Sequence, residues 1–315
     1  MTALAVVTPC YNEQEVLPET CRRLMALRER LVGAGKISAK SRIYFVDDGS
    51  RDRTWEIIDS FVQQELPVVG IKLTRNRGHQ NALLAGLFTA EGDAVVSIDA
   101  DLQDDVDAIE EMIDRHLAGC DVIYGVRKRR ASDTFFKRFT AEGFYKLLAL
   151  LGAQTIFNHA DYRLLSRRAI EALKEFREVN LFLRGIVPLI GYESAVVYYD
   201  RDARFAGESK YPLRKMIGLA LDAVTSFSVV PLRLITLVGF LVFLFTTIMS
   251  GFIFWIRLFT DVAVPGWAST LLPIYFLGGI QILCLGVIGE YLGKIYGESK
   301  ARPRFIIEQI KKPRT

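Results

Sequence analysis

Asp99 and Asp101 follow directly on the apolar run 94–98, in the order Asp99-Ala100-Asp101-Leu102-Gln103-Asp104. Carboxylates at that spacing suit a hard divalent cation such as Mg2+ or Mn2+, which takes oxygen ligands and keeps positions open for phosphate. One or two aspartates suffice when a diphosphate supplies the remaining oxygens, and Gln103 could orient such a ligand. A solvated turn, or a cap for a helix starting near Asp105, would use the same residues.

Other clusters give the pair weight. Pro9-Cys10-Tyr11-Asn12-Glu13 follows the apolar run 3–8, and Asp47-Asp48-Gly49-Ser50 follows the run 42–46. A ring and carboxylates are what a nucleobase and ribose require: a face to stack on, and acceptors for the base N–H and the hydroxyls. Each cluster also reads as a cap or a turn, and residues 50–54 are a plausible helix start whatever the function.

The elements that must position these groups are legible in the periodicity. Strand-like runs at 3–8, 42–46, 68–73 and 94–98 alternate with helical stretches at 15–31, 54–63, 80–90 and 105–118. That rhythm predicts an α/β fold with a mostly parallel sheet covered on both faces. In such sheets ligands bind beyond the carboxyl ends of the strands, which is where all the polar clusters fall.

Farther along, Asn158-His159-Ala160-Asp161-Tyr162-Arg163 is a dense polar group ahead of a helix at 166–173. Asp161 is a candidate to orient a substrate or act as a formal base, and equally a structural aspartate paired with Arg163 or Arg168. Arg127, Arg129 and Arg130 follow a strand at 122–125, and Arg184 stands alone in an otherwise apolar segment at 182–187 that reads as core. The arginines at 127–130 read either as an anion site or as a solvated or membrane-surface patch.

Half of the 315 residues are hydrophobic, and the excess lies after residue 230. Residues 234–256 form a run of about 23 without a charge, and 262–289 one of about 28, each long enough to cross a bilayer as a helix. Lys210, Arg214, Lys215 and Arg233 precede the pair; Lys294, Lys300, Arg302 and Arg304 follow it. The positive-inside rule then places both ends in the cytoplasm. Residues 211–228 read as an amphipathic helix in the membrane interface. Small residues at Gly278, Gly279, Gly286, Gly289 and Gly293 offer a face for a homo-oligomer. A net charge of +4 without a basic and aromatic stripe argues against nucleic acid. The four cysteines show no CxxC spacing, so neither a disulfide framework nor a zinc site is expected. The opening residues lack the basic region of a signal peptide.

Thr8-Pro9-Cys10-Tyr11-Asn12-Glu13, Val46-Asp47-Asp48-Gly49-Ser50-Arg51-Asp52, Asn76-Arg77-Gly78 and Asp99-Ala100-Asp101-Leu102-Gln103-Asp104 together resemble the family-2 glycosyltransferases. More narrowly, the chain resembles the polyprenyl-phosphate group that includes dolichol-phosphate mannosyltransferase and the bactoprenol glucosyltransferases. Its segments 289–296 and 300–305 look like the bactoprenol branch.

The resemblance implies a GT-A catalytic domain over 1–210, a juxtamembrane helix over 211–231, two spans over 232–296 and a basic cytosolic tail over 297–315. It implies a nucleotide-sugar donor held by Pro9, Tyr11, Asn12, Glu13, Asp47, Asp48, Asn76, Asp99, Ala100 and Asp101, with a metal at Asp99, Asp101 and Gln103. It also implies inversion at the sugar carbon and a polyprenyl-phosphate acceptor, with Asp161 and Asp101 catalytic. Arg127, Arg129, Arg184, Arg204, Ser209 and Lys210 are the candidates to hold the acceptor phosphate. The expected reaction moves glucose from UDP-glucose to undecaprenyl phosphate at the bacterial inner membrane. Mannose from GDP-mannose or a modified arabinose from a uridine donor are alternatives, as is a noncatalytic, membrane-anchored nucleotide-binding module.

Overall fold

The computed structural model describes residues 1–127, 159–178, 183–200, 230–259 and 267–314. They fall into two compact units, one containing every strand and the other a pair of long helices.

The first unit is built on β1 (Leu4–Cys10), β2 (Arg42–Asp47), β3 (Val68–Leu73) and β4 (Ala94–Ser97). Every residue of β1 and β4 is buried, as continuous apolar strands covered on both faces must be. β1 pairs in parallel with β2 on one side and β4 on the other, and β2 with β3. The crossovers are α1 (Leu17–Gly33), α2 (Thr54–Gln63) and α3 (His79–Thr89). α1 buries Leu17, Cys21, Leu24, Leu27 and Leu31 at helical spacing, and Pro18 in its first turn supplies a preset φ. α3 is enclosed nearly all round, and Gly86 permits its close approach: a Cβ there would lie 2.8 Å from Val46 Cγ2.

After α4 (Ala108–Leu117) come β5 (Val122–Arg127), β6 (His159–Ser166), α5 (Arg167–Lys174), α6 (Leu183–Ile186), a 3-10 turn (Val187–Ile190) and β7 (Ser194–Tyr199). With β8 (Ile307–Lys311), the finished sheet runs β7-β5-β6-β4-β1-β2-β3-β8. It is mostly parallel as expected, but β6 runs antiparallel to both β4 and β5. Residues 159–163 of the polar group expected ahead of a helix therefore belong to a central strand, β6. The segment expected as a basic tail contributes β8 (Ile307–Lys311), antiparallel to β3 at the sheet edge.

In the second unit, α7 (Val230–Phe259) spans 30 residues and α8 (Trp267–Ser299) 33, with Pro273 inside α8. They cover the charge-free run 234–256 and most of 262–289. Among the described residues, no helix is long and apolar enough to cross a membrane. The uninterrupted apolar run is a property of the full sequence, and many side chains along these helices lie outside the described set. The expected interfacial helix at 211–228 lies outside the described residues as well.

Candidate active site

The carboxyl ends of β1, β2, β3 and β4 share one edge of the sheet, and hydrogen bonds from backbone N–H groups tie the loops after β1 and β2 together. Asn12, at φ 55°, donates its N–H to Ser50 Oγ at 3.0 Å and accepts the Arg51 N–H on Oδ1 at 2.9 Å. The Glu13 N–H donates to Thr54 Oγ1 at 2.9 Å, and the Asp48 N–H to the Cys10 carbonyl at 2.9 Å. Pro9 and Cys10 close β1 itself, and Tyr11 stands 42% exposed beyond it, its ring available to a flat ligand.

Asp47 and Asp48 are buried, which pushes both carboxyls up. Asp48 accepts the N–H of Arg77 at 2.7 Å and of Gly78 at 2.9 Å, so it fixes the loop after β3. Asp47 accepts the Ser50 N–H on Oδ1 at 3.1 Å, while its buried Oδ2 has no protein partner. An acceptor orphaned at a strand end is what a donor on a bound nucleoside would satisfy. Gly49, at φ +67°, lets the loops meet: a Cβ there would lie 2.6 Å from the Asn76 nitrogen.

β4 stops at Ser97, so Asp99 and Asp101 lie in the turn beyond the strand's carboxyl end. The turn that follows is held at Ala100, whose carbonyl accepts the Thr20 hydroxyl at 2.8 Å from α1. Leu102 takes a positive φ of 57°, and the Gln103 N–H donates to Asp101 Oδ1 at 3.2 Å. Dense surroundings push the Asp99 carboxyl up to about 6, helped by Asp104, Asp161 and Asp101 and opposed by His79. The neighbouring carboxyls concentrate negative charge at Asp99, which a bound cation would offset. Among the described residues, no group of three or more His, Cys, Asp or Glu side chains is arranged to hold a metal ion. Asp99 and Asp101 offer hard carboxylate oxygens of the kind that would hold a divalent cation beside a diphosphate, as Mg2+ is held beside nucleotides.

His79, the first residue of α3, joins this pair to the other half of the site. Its Nε2 lies 3.4 Å from Asp99 Oδ1 and 3.8 Å from Asp161 Oδ2. Sequence reasoning passed over it, although a residue directly after Asn76-Arg77-Gly78 at a strand's carboxyl end satisfies the rule that located the others.

Asp161, on β6, is nearly buried and bound by two arginines. Arg163 Nη2 donates to its Oδ1 at 2.6 Å, and Arg184 Nη2 to its Oδ2 at 3.1 Å. Burial alone would raise its pKa, but Arg163 and Arg184 outweigh that and hold the carboxyl well below the usual carboxylate range. Arg163, wholly buried, also donates to the Leu183 carbonyl at 3.2 Å and so anchors α6. Around Arg184 the residues Leu183, Gly185, Ile186 and Val187 are buried, as the core reading of that segment requires. Arg168, the other partner considered for Asp161, pairs instead with Asp121.

Arg127 ends β5 with its guanidinium on Asp104 Oδ1 at 3.1 Å and on the Tyr199 hydroxyl at 3.1 Å. That hydroxyl donates to Asp104 at 2.6 Å. Arg127 is thus held in a network with Asp104 and Tyr199. Arg129, Arg204, Ser209 and Lys210 lie outside the described residues, as does the His159 side chain.

Residues 5–174 match the family model described as glycosyl transferase family 2. Over 307 residues the chain is 49% identical to the uncharacterized glycosyltransferase YkoT of Bacillus subtilis, covering 97% of this chain and 91% of that one. Over 312 residues it is 40% identical to the bactoprenol glucosyl transferase of Shigella phage SfV, covering 98% and 99%. Among solved structures, mannosyl-3-phosphoglycerate synthase from Rubrobacter xylanophilus aligns with a TM-score of 0.49 at 18% identity, over 71% of this chain and 72% of that one.

Proposed function

Because the chain belongs to glycosyl transferase family 2, we propose that it transfers a hexose, glucose from UDP-glucose, to the phosphate of a polyprenyl lipid such as undecaprenyl phosphate. The observation that carries the reading is the crevice itself: Asp99 and Asp101 beyond the end of β4, separated by His79 from an Asp161 held between Arg163 and Arg184. The name of the phage relative, aligned nearly end to end, supports the glucose and the lipid.

In this reading the base lies against Tyr11 and meets Asn12, Glu13 and the free oxygen of Asp47, while Asn76 and Ala100 border the ribose and phosphates. Asp99 and Asp101 hold Mg2+ or Mn2+, with Gln103 beside them, and a cation there supplies positive charge to the departing nucleoside diphosphate. The acceptor needs no strong base, since a phosphate monoester with a second pKa of about 6 is largely dianionic at neutral pH. Asp161, kept ionised, acts by fixing Arg184 for the acceptor phosphate, and Arg204, Ser209, Lys210 and Arg129 assist. Attack from the face opposite the nucleotide inverts the sugar carbon.

The same reading makes this an integral protein of the bacterial inner membrane, with residues 232–296 crossing as a hairpin and the catalytic domain cytoplasmic. Chain on both sides of α7 and α8 enters one sheet, through β1 to β7 before and β8 after, which requires an even number of crossings. Copies would associate through the glycine face of α8, where a Cβ on Gly278, Gly286, Gly289 or Gly293 meets nothing within 4 Å.

The test incubates purified protein with undecaprenyl phosphate, Mg2+ or Mn2+ and a panel of radiolabelled sugar nucleotides, and counts label in the organic phase. Label from UDP-glucose is expected. Label from GDP-mannose or a UDP-arabinose derivative alone would replace the donor, and none from any donor would refute the lipid-phosphate reading.

A further inference from the structure

The C-terminal segment is fastened to the edge of the catalytic sheet along its whole described length. β8 pairs Gly70 with Lys311, Ile71 with Ile310, Lys72 with Gln309 and Leu73 with Ile307. Three of the segment's basic residues, Arg304, Lys311 and Lys312, have partners within the domain. Lys311 Nζ lies 2.5 Å from Asp59 Oδ1, and with Lys72 it shares the Trp55 ring, each 5.8 Å from the centroid. Lys312 reaches Glu91 at 2.7 Å, Lys72 reaches Glu308 at 3.3 Å, and the Arg304 guanidinium donates to the Phe176 carbonyl.

The pairing continues past the end of β3, where the Thr74 N–H donates to the Ile306 carbonyl at 3.1 Å. Thr74 begins the stretch that runs on through Asn76, packed against Gly49, to the Arg77 and Gly78 N–H groups bound by Asp48. Between Leu73 and Asp48, the Ile306 carbonyl is therefore the fixed point at one end of this stretch and the Asp48 carboxylate the fixed point at the other. A stretch of loop pinned at both ends loses little further conformational freedom when a ligand binds, whereas one pinned at one end must be ordered by the ligand.

We propose that β8, through the Ile306 carbonyl, is a positioning element of the donor site: it holds residues 74–78 in the conformation the nucleotide requires. Donor affinity then depends on a segment that follows the second long helix in sequence, more than two hundred residues from the loop it supports. The inference rests on the reading of this crevice as the nucleotide site.

The test uses the full-length chain carrying Lys311→Glu and Lys312→Glu, which sets carboxylates against Asp59 and Glu91 and drives β8 from its edge. UDP affinity in the presence of Mn2+ is measured by calorimetry, alongside KM for donor and for lipid acceptor. UDP binding is expected to weaken roughly fivefold to tenfold, the weight of one backbone hydrogen bond. Donor KM should rise with it while acceptor KM holds, and a synthetic peptide of residues 301–315 should restore UDP binding by reoccupying the edge. A general loss of fold would raise both KM values and resist the peptide. If the double variant does not fold, Ile307→Pro carries the same measurements, since proline interrupts the strand without reversing charge. Unchanged UDP affinity after β8 is released, shown by new protease cleavage within 301–315, overturns the proposal, as does a parallel rise in both KM values. Failure of the unsubstituted protein to bind UDP would instead refute the nucleotide reading.

Discussion

Replacing Asp161 by asparagine separates a positioning carboxylate from a proton acceptor. The wild-type carboxylate lies 2.6 Å from Arg163 Nη2 and 3.1 Å from Arg184 Nη2, and the Arg163 side chain is only 1% exposed. Asparagine keeps the shape but leaves the Arg163 charge buried and uncompensated, and breaking a buried pair in this way costs about 3–5 kcal/mol. With an amide oxygen still present, the lower end applies, and about 3 kcal/mol lowers the melting temperature of a domain this size by roughly 6–12 °C. Adding Arg163→Met removes the stranded charge, so the double variant should recover most of that loss in thermal unfolding followed in detergent. Transfer should stay low in both, because Arg184 has lost its anchor, and the defect should lie in acceptor KM. The acidic limb of the pH–rate profile should keep its place near the phosphate's own ionisation, at about 6. A drop of about 10²- to 10⁴-fold in kcat, with that limb abolished and the melting temperature unchanged, would make Asp161 the general base and refute the reasoning.

Asp101→Asn should abolish metal-stimulated transfer while leaving membrane insertion intact, and EDTA should do the same to the unsubstituted protein until Mg2+ or Mn2+ is restored; activity that persists in both removes the metal from Asp101. Gly49→Ala places a side chain at φ +67° with its Cβ 2.6 Å from the Asn76 nitrogen. It should cost about 1–2 kcal/mol or more in stability and raise donor KM, and normal donor KM would show that the loop contact does not serve the nucleotide. The hydrogen bond from Arg168 holds the Asp121 carboxyl below its ordinary value, so its contribution is present above an unfolded pKa of about 4 and is lost as pH falls through the lower folded value. Melting temperature should therefore fall more steeply below pH ~4 in the unsubstituted protein than in Arg168→Ala, and equal slopes would remove this pair from acid stability.

The parallel half of the fold was legible because its signals are local. The helix expected over 54–63 is α2 residue for residue, and the strands at 42–46, 68–73 and 94–98 differ from β2, β3 and β4 by one residue at most. The strand-end polar clusters lie where the rule expects them, Asp48 just beyond β2 and Asp99 and Asp101 beyond β4. The antiparallel additions left no such trace. β6 carries a fully buried arginine, whose partners come from its own strand and from α6, so its pattern looks polar where the strand is enclosed. β8, Ile307–Lys311, has no fully buried residue and reads as an exposed charged segment. For Arg127, sequence shows a cation after a strand but not the Asp104 and Tyr199 that it binds.

The order in which the chain is made gives the return of β8 a further consequence. β3 is complete at Leu73, yet its outer partner begins at Ile307, after both long helices have been synthesised. At roughly 5–20 residues per second, the interval between them lasts on the order of 10–50 s. Throughout that time β3 presents unpaired N–H and C=O groups to any neighbouring strand, in the crowded setting of many chains emerging together. A nascent chain whose long helices were slow to be made would carry that open edge for longer, so slowed synthesis between residues 230 and 299 should appear as aggregation of the domain that holds β3.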